Sequence, residues 1–566
     1  MQGGTRIGIT GMGVICAIGN NADEVCVSLQ ERRSGIGAIR YLQTKHLELP
    51  VGEVKLSNDE MAAMLGLEQG GLYSRTSLMG AIAIREALHS VGIGSLSGKR
   101  VAVISGTTVG GMDIAELYRP QLGAGVNPGH LPTSNECGRS TIEMAEYAGI
   151  PGAECCTVST ACSSALNSII LGCEMLQRDE ADMVIAGGSE ALSRFHLNGF
   201  NSLMILDKER CRPFDATRTG LNLGEGAAFV VLQKDPSVAL AYVAGYGNRC
   251  DAYHQTASSE NGEGAFLAMG DALGMAGVKP SDIDYISAHG TGTPDNDISE
   301  SHAIQRLFGS EIPPVSSTKA FTGHTTSASG SIETVFCILA MQRGFLPANL
   351  GWGNPIDGGI VPTMGAEGVI LKYVLCNSFG FGGNDSSLLI CSSQCALPYP
   401  ESSCSYEVIA DEKVDSADAL QELRKYVSPM ESRRMDKLMK AATLSALWAL
   451  ETAGLKSPDA IITGTANGML ETSNRFLDDI YANDEQQLKP TLFMQSTHNT
   501  LGSSIAIRTG CHGYNITYSQ GDDSLKWALH DARERICTGR AETVLVGCYD
   551  ETPDSVDART LILRRK

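Results

Sequence analysis

The sequence predicts an α/β protein with a largely parallel sheet, followed late in the chain by a partial copy of the same fold. Three observations lead there. Up to about residue 395 β-rich runs alternate with helical ones: "RVAVISGT", "ALNSIILGCEMLQRD", "DMVIAGGSE", then "DYISAHGTG" and "SIETVFCILAMQRG". Strands separated by helices of that length pair in parallel through crossovers. The 566 residues, 43% of them apolar, suffice for about three to four domain-sized cores. The third observation is internal repetition, which reveals the partial copy.

The composition changes at "CALPYPESSCSYEVIADEKVDSADA", a polar, Pro- and Ser-containing stretch that reads as a linker beginning near Ser392. After it earlier patterns return. "AIITGTANGML" (460–470) matches "VAVISGTTVGGM" (101–112), displaced by 358 residues from Ala102 to Ala460, and "AETVLVGCYDE" (541–551) matches "ADMVIAGGSEA" (181–191), displaced by 360 from Ala181 to Ala541. Between these anchors lies "TVSTACSSALNSIILGCEML" (157–176), whose counterpart is "NITYSQGDDSLKWAL". The position matching Cys162 thus falls on Gln520, Gly521 or Asp522, none of them a thiol. A copy without a nucleophile is expected to build structure or a pocket wall, not a second active site.

Composition excludes several classes. A net charge of −20 argues against binding a phosphate backbone, which requires clustered Lys and Arg. The 17 cysteines form no regular framework, and several sit in apolar runs such as "AECCTV" and "TVFCILA", as buried thiols in a reducing compartment do. The start, "MQGGTRIGITGMG", lacks the apolar core and cleavage pattern of a signal peptide, and no run of apolar residues is long enough to span a bilayer. A cytoplasmic protein without a membrane span is expected. "NIT" at 515–517 fits a glycosylation pattern that no secretion signal supports.

Cys162 follows a short β-type run and precedes a helix, where first-turn N–H groups and the helix dipole favour a thiolate. Ser163, Ser164 and Ala165 keep the approach open. His289 ends "DYISAH" and begins "HGTGTPDND", and His324 lies in "KAFTGHTTSASGSIE", each beside a Gly-, Thr- and Ser-rich loop. These two pair naturally with the cysteine. The spacings offer neither His-x-x-x-His nor Cys-x-x-Cys, so no metal site is expected.

Together these stretches resemble a β-ketoacyl-acyl carrier protein synthase, the elongating condensing enzyme of the thiolase fold. The resemblance rests on Cys162 in "STACSSA", His289 in "HGTGTP", Lys319 and His324 in "KAFTGH", Glu333 in "GSIE" and Phe381 in "NSFGFGG", with "ITGMGVICAIG" and "CRPFDATRTGLNLGEGA" in support. It runs from residue 5 to about 392 with every motif in order. It also removes a dinucleotide-binding reading of "GMGVIC", whose third glycine position holds Cys16.

The resemblance implies two similar halves in a layered αβαβα arrangement, 1–237 carrying the nucleophile and 238–392 the histidines. A linker over 393–411 and a third, degenerate N-terminal-half copy over 412–566 would follow. It implies that Cys162 takes an acyl chain from a carrier-protein thioester and that His289 and His324, as neutral imidazoles, stabilise the enolate formed when malonyl-carrier protein loses carbon dioxide. The oxyanion would sit on the N–H groups of Cys162 and Phe381, with Phe381 also gating the carrier arm between glycines that let its loop move. Lys319 and Glu333 would be a structural charge pair, and Thr291 and Thr293 would bond the phosphopantetheine arm. That arm arrives on the carrier protein, so neither metal nor cofactor is required. Cysteine at 162 excludes the glutamine-type decarboxylating variants. One departure is "FGGND", where Thr then Asn usually follow the glycines; here Asn384 and Asp385 stand there.

Such synthases dimerise through the N-terminal half, each subunit closing its partner's acyl tunnel. The segment 412–566 resembles that half alone and is similar to the chain-length-factor-like proteins of aryl polyene and related pathways. Two assemblies follow as expectations, a pseudo-heterodimer within one chain or a homodimer. In the first, tunnel length would depend on "TLFMQSTHNTLGSS" (491–504), the counterpart of "HLPTSNECGRS" (130–140). Acidic carrier proteins would dock on Lys and Arg, for which "DKERCRP" (207–213) and "YSRTS" (73–77) are candidates. The rival readings are an acyltransferase to an oxygen or nitrogen acceptor, disfavoured by the histidine pair, and a non-catalytic partner subunit, which suits the third segment only.

Overall fold

Short runs of aliphatic residues that bury both faces become the sheet. The computed structural model describes residues 4–92, 96–123, 136–399, 405–414, 416, 418–552 and 555–566. The first half holds β1 (Ile7–Cys16), β2 (Val101–Gly106), β3 (Glu154–Val158), β4 (Met183–Glu190) and β5 (Gly226–Lys234). The second holds β6 (Ala241–Cys250), β7 (Tyr285–Ser287), β8 (Val315–Ser316), a small pair β9 (Phe345–Leu346) and β10 (Ala366–Glu367), then β11 (Tyr373–Gly380) and β12 (Asn384–Cys391). The third unit holds β13 (Tyr406–Val414), β14 (Ala460–Gly464), β15 (Tyr514–Tyr518), β16 (Thr543–Glu551) and β17 (Val556–Arg565).

The strand order repeats three times: β3-β2-β4-β5-β1, β8-β7-β11-β12-β6 and β15-β14-β16-β17-β13. In each, the first three strands named run parallel and the last two are antiparallel to their neighbours. This is the thiolase-like arrangement with a third, partial copy. The helix Ser164–Gln177 is buried along its whole length, and Ser329–Arg343, which packs on it, is almost as buried. Helices apolar on every side are buried in a core, and these two lie between the strands of the first half and those of the second, which join in one continuous sheet through β1 and β6. The helices Arg75–Val91 and Glu263–Ala276 cover outer faces, and Lys437–Ala453 does the same for the third unit.

The expected linker needs correcting. β13 begins at Tyr406, so the last residues of 393–411 are strand, and the third unit starts before 412. β13 is an edge strand that buries only Ala410 and Val414 and exposes Tyr406, Val408, Asp411 and Lys413, so it lacks a regular buried face and its composition reads like a linker.

The third unit docks on β3. Val158 and Tyr518 face each other across an antiparallel join, with Ser159 N–H donating to Thr517 O and Ser519 N–H to Thr157 O, both at 2.9 Å. Matching strands thus meet back to back. Behind this join Glu174 is buried and accepts from Arg535, Arg540 and the Tyr246 hydroxyl. Burial alone would raise its carboxyl, but the Arg535, Arg540 and Arg178 guanidinium groups hold it at about 2. Removing one member of such a cluster strands the rest. Glu174→Ala is expected to cost about 3–5 kcal/mol, read as a lower midpoint of urea unfolding, with Glu174→Asp losing less.

Candidate active site

Cys162 sits in a turn built by its neighbours. Ala161 takes φ 52°, and the turn is pinned by Ser164, whose Oγ accepts from Thr160 N–H at 2.9 Å and donates to Ala161 O at 2.6 Å. Ser378 Oγ on β11 donates to the Cys162 carbonyl at 2.8 Å. Gly380 is needed there, since a Cβ would stand 2.8 Å from Thr160 O.

The third unit keeps this turn without its chemistry. Ser524 Oγ accepts from Gln520 N–H at 2.9 Å and donates to Gly521 O at 2.6 Å, and Gly521 has φ 54°. The register therefore places Asp522 opposite Cys162, and Asp522 is exposed.

His289 and His324 converge on the thiol from two loops. His324 Nε2 is 3.1 Å from Cys162 Sγ and its Nδ1 is 3.2 Å from Ser329 Oγ. The two imidazoles meet edge to face with centroids 5.2 Å apart, and His289 also lies against Phe379 at 6.0 Å. The His289 and Gly290 N–H groups donate to Glu300, and Lys319 Nζ donates to Glu333 at 2.7 Å in a buried pair. Cys162, His289 and His324 are 5%, 2% and 2% exposed.

Burial dominates the electrostatics. It holds both imidazoles neutral, their pKa values well below 6.5, and the Lys319 charge pushes the same way. It also raises the Cys162 thiol to about 11, against the pull of Lys319 and of the Phe381 and Cys162 N–H groups. The expected thiolate-favouring helix start is outweighed here, because the helix begins two residues later and the thiol is dry. The sulfur and the ring nitrogens lie within 4.8 Å of one another, close enough in principle to hold a metal ion.

These groups form the inner end of a cavity of about 380 Å³ lined also by Thr291, Thr293, Phe381 and Asp385. Thr291 and Thr293 hydroxyls lie 2.8 Å apart. Phe381 stacks on Phe200 at 5.6 Å, and Phe200 in turn meets Phe493 of the third unit at 5.3 Å. Phe493 packs so closely that a Cβ on Gly199 would overlap its ring. Phe195 and Phe476 complete this aromatic cluster. Sequence reasoning did not single out Phe493 or Phe476 individually, since a phenylalanine in a short helix carries no signal of which wall it will face.

At the departure "FGGND", Asn384 turns toward the third unit, donating to Asn515 O at 3.2 Å, and Asp385 lines the cavity. Burial, with Asp251 and Glu300 nearby, raises the Asp385 carboxyl well above its usual range. Of the docking candidates, "YSRTS" is corrected: Arg75 is buried and bonded to Glu225. In "DKERCRP", Lys208 and Arg210 are exposed, while Arg212 pairs with Asp207 and Glu209. Of the stretch 130–140, residues 130–135 lie outside the described residues.

A buried thiol beside two neutral imidazoles, at the meeting of two like α/β halves, defines a condensing enzyme of the thiolase-like fold. The chain belongs to the β-ketoacyl synthase family. Residues 4–237 match the family's N-terminal domain and 240–352 its C-terminal domain, and 410–558 match an N-terminal domain again. The 3-oxoacyl-[acyl-carrier-protein] synthase 2 of Staphylococcus aureus (strain COL) is 32% identical over 416 residues, 69% of this chain and 99% of that protein. Nodulation protein E of Rhizobium meliloti is also 32% identical, over 68% of this chain and 98% of its own. A ketosynthase solved with its chain length factor from Xenorhabdus doucetiae is 31% identical, with a TM-score of 0.60 over 69% of this chain and 98% of that one. The PfaC keto synthase-chain length factor, 17% identical, shares the fold over 99% of this chain and 78% of that one with a TM-score of 0.81. Among the described residues no helix is long and apolar enough to cross a membrane.

Proposed function

We propose that this enzyme condenses a Cys162-bound acyl chain with malonyl-acyl carrier protein, releasing carbon dioxide and β-ketoacyl-acyl carrier protein. The observation that carries it is the 3.1 Å approach of His324 Nε2 to Cys162 Sγ, with His289 alongside in the dry end of a cavity. In loading, the sulfur attacks the thioester carbonyl, its proton passes through His324 to the departing carrier thiol, and the acyl-enzyme forms. In condensation, the malonyl carboxylate leaves as carbon dioxide and the enolate oxygen takes N–H bonds from the two imidazoles. The enolate carbon then attacks the acyl carbon, and the collapse of the oxyanion returns the cysteine sulfur. The Cys162 and Phe381 N–H groups hold that oxyanion, the Thr291 and Thr293 hydroxyls bind the pantetheine arm, and Lys319 with Glu333 orders the histidine loops. The test is intact-mass analysis after mixing with acyl-carrier proteins and then malonyl-carrier protein: a Cys162 adduct that is discharged into a β-ketoacyl product supports the reading, and an adduct that persists overturns it.

The third unit, in this reading, is the dimer partner supplied in cis, and it sets chain length. The repeated strand order, the β3 to β15 join and the entry of Phe493 into the aromatic cluster support it. Phe493→Ala is expected to lengthen the longest acyl chain loaded, measured with carrier proteins of graded length; an unchanged limit would remove Phe493 from the tunnel wall. Exposed Lys208 and Arg210, a few residues along the chain from the cavity-lining Met204 and Ile205, suit an acidic carrier protein. The free buried thiols suit the cytoplasm.

A further inference from the structure

The Phe381 loop is held from outside the half that carries it. Asn499, the residue before the third unit's helix Thr500–Thr509, is buried, and its amide Nδ2 donates to Phe381 O at 2.9 Å and to Asn384 Oδ1 at 2.7 Å. The backbone carbonyl can only accept, so the amide is oriented with its nitrogen toward the loop. Asn384 is fixed in the same way by its bond to Asn515 O, and Ser503 Oγ donates to Asn384 Oδ1 at 3.2 Å. On the loop's other flank Gly382 N–H donates to Gln255 O at 2.7 Å.

Phe381 therefore faces two ways. Its backbone N–H works to lower the Cys162 thiol's pKa, while its carbonyl is tied to Asn499. The residues after it, Gly382 and Gly383, take φ 84° and 75°, and the loop's own backbone bond, Gly383 N–H to Gly380 O at 3.0 Å, closes a turn of glycines that keep conformational freedom around Phe381. An external anchor on the carbonyl removes this freedom before the oxyanion develops, and preorganised donors stabilise charge most strongly.

We propose that Asn499 is a positioning residue: from the third unit it fixes the Phe381 N–H that receives the oxyanion, so this unit governs the rate of chemistry at Cys162 as well as the space for the chain. The proposal rests on the reading of Phe381 N–H as an oxyanion donor. It differs from a wall-forming role because it acts on a backbone direction and not on a volume.

The experiment compares two reactions of Cys162 in the full-length protein, acylation by a small acyl-N-acetylcysteamine thioester and alkylation by iodoacetamide. Both need the thiol, but only acylation passes through an oxyanion. Asn499→Asp keeps the shape and loses the donor, and the ratio of acylation to alkylation rate is expected to fall about tenfold. Ser503→Ala leaves the bond from Asn499 to Phe381 in place and is expected to keep the wild-type ratio. An unchanged ratio in Asn499→Asp overturns the proposal, as does an equal loss in Ser503→Ala, which would mark general loosening of the interface. Acylated wild-type protein that fails to discharge onto malonyl-carrier protein would count against the condensing reading alone, because the acylation ratio is measured before that step.

Discussion

Cys162→Ala is expected to lose acyl loading altogether, by more than about a thousandfold, because no other group at the inner end of the cavity can form the covalent intermediate. The remaining thiols do not substitute. Among the neighbours of the site, burial raises Cys211 to about 12, and it lines no part of the catalytic cavity. The measurement is the mass of the protein after exposure to acyl-carrier protein. A residual adduct of the acyl mass at wild-type rate in Cys162→Ala would place the nucleophile elsewhere. The fold should survive, since the turn is held by Ser164 and by the Ser378 hydroxyl on a backbone carbonyl, none of which involves the sulfur.

His289→Ala is expected to separate the two half-reactions more cleanly than His324→Ala. His324 touches the sulfur directly, so its loss should slow loading as well as condensation, whereas His289 lines the cavity with no hydrogen bond to the sulfur and packs against His324 and Phe379. The expected result is a His289→Ala protein that loads acyl chains near the wild-type rate and condenses about 10²–10³-fold more slowly, the range for removing one donor to a developing oxyanion. Normal condensation by that variant would overturn the enolate role. The pH dependence gives a second check. Burial keeps both imidazoles unprotonated well below their usual 6.5, so discharge of preloaded acyl-enzyme should stay level from about pH 8 down to about pH 6. An imidazole with an ordinary pKa would titrate across that interval, and its protonation would show as a change in rate centred near 6.5.

Much of this site was legible because its chemistry is carried by residue type in short loops beside small residues. Cys162 and His289 follow β3 and β7, His324 follows the short helix Lys319–Thr322, and the structure brings all three together. The late repeat was legible for a related reason: β2 and β4 are buried strands, and buried strands keep an apolar signature that can be matched at β14 and β16. The edge strand β13 has no such signature, so its sequence reads as linker. Arg75 shows the opposite failure, an arginine that reads as surface charge but is consumed internally by Glu225.

By itself the sequence determined the α/β alternation, the motifs that carry the resemblance to the thiolase-like class, the choice of Cys162, His289 and His324 as candidates, and a third half-unit with no thiol at the position of Cys162. Those are properties of residue identity and periodicity, which are local. Only the tertiary structure decided that Asp522 stands opposite Cys162, that Phe493 enters the aromatic cluster beside the gate, and that Asn499 holds the Phe381 carbonyl. The same holds for the thiol, which burial raises when the helix start alone would have lowered it. Contacts between units more than a hundred residues apart, and the water that burial removes, are set by how surfaces meet in three dimensions, and no local pattern encodes them.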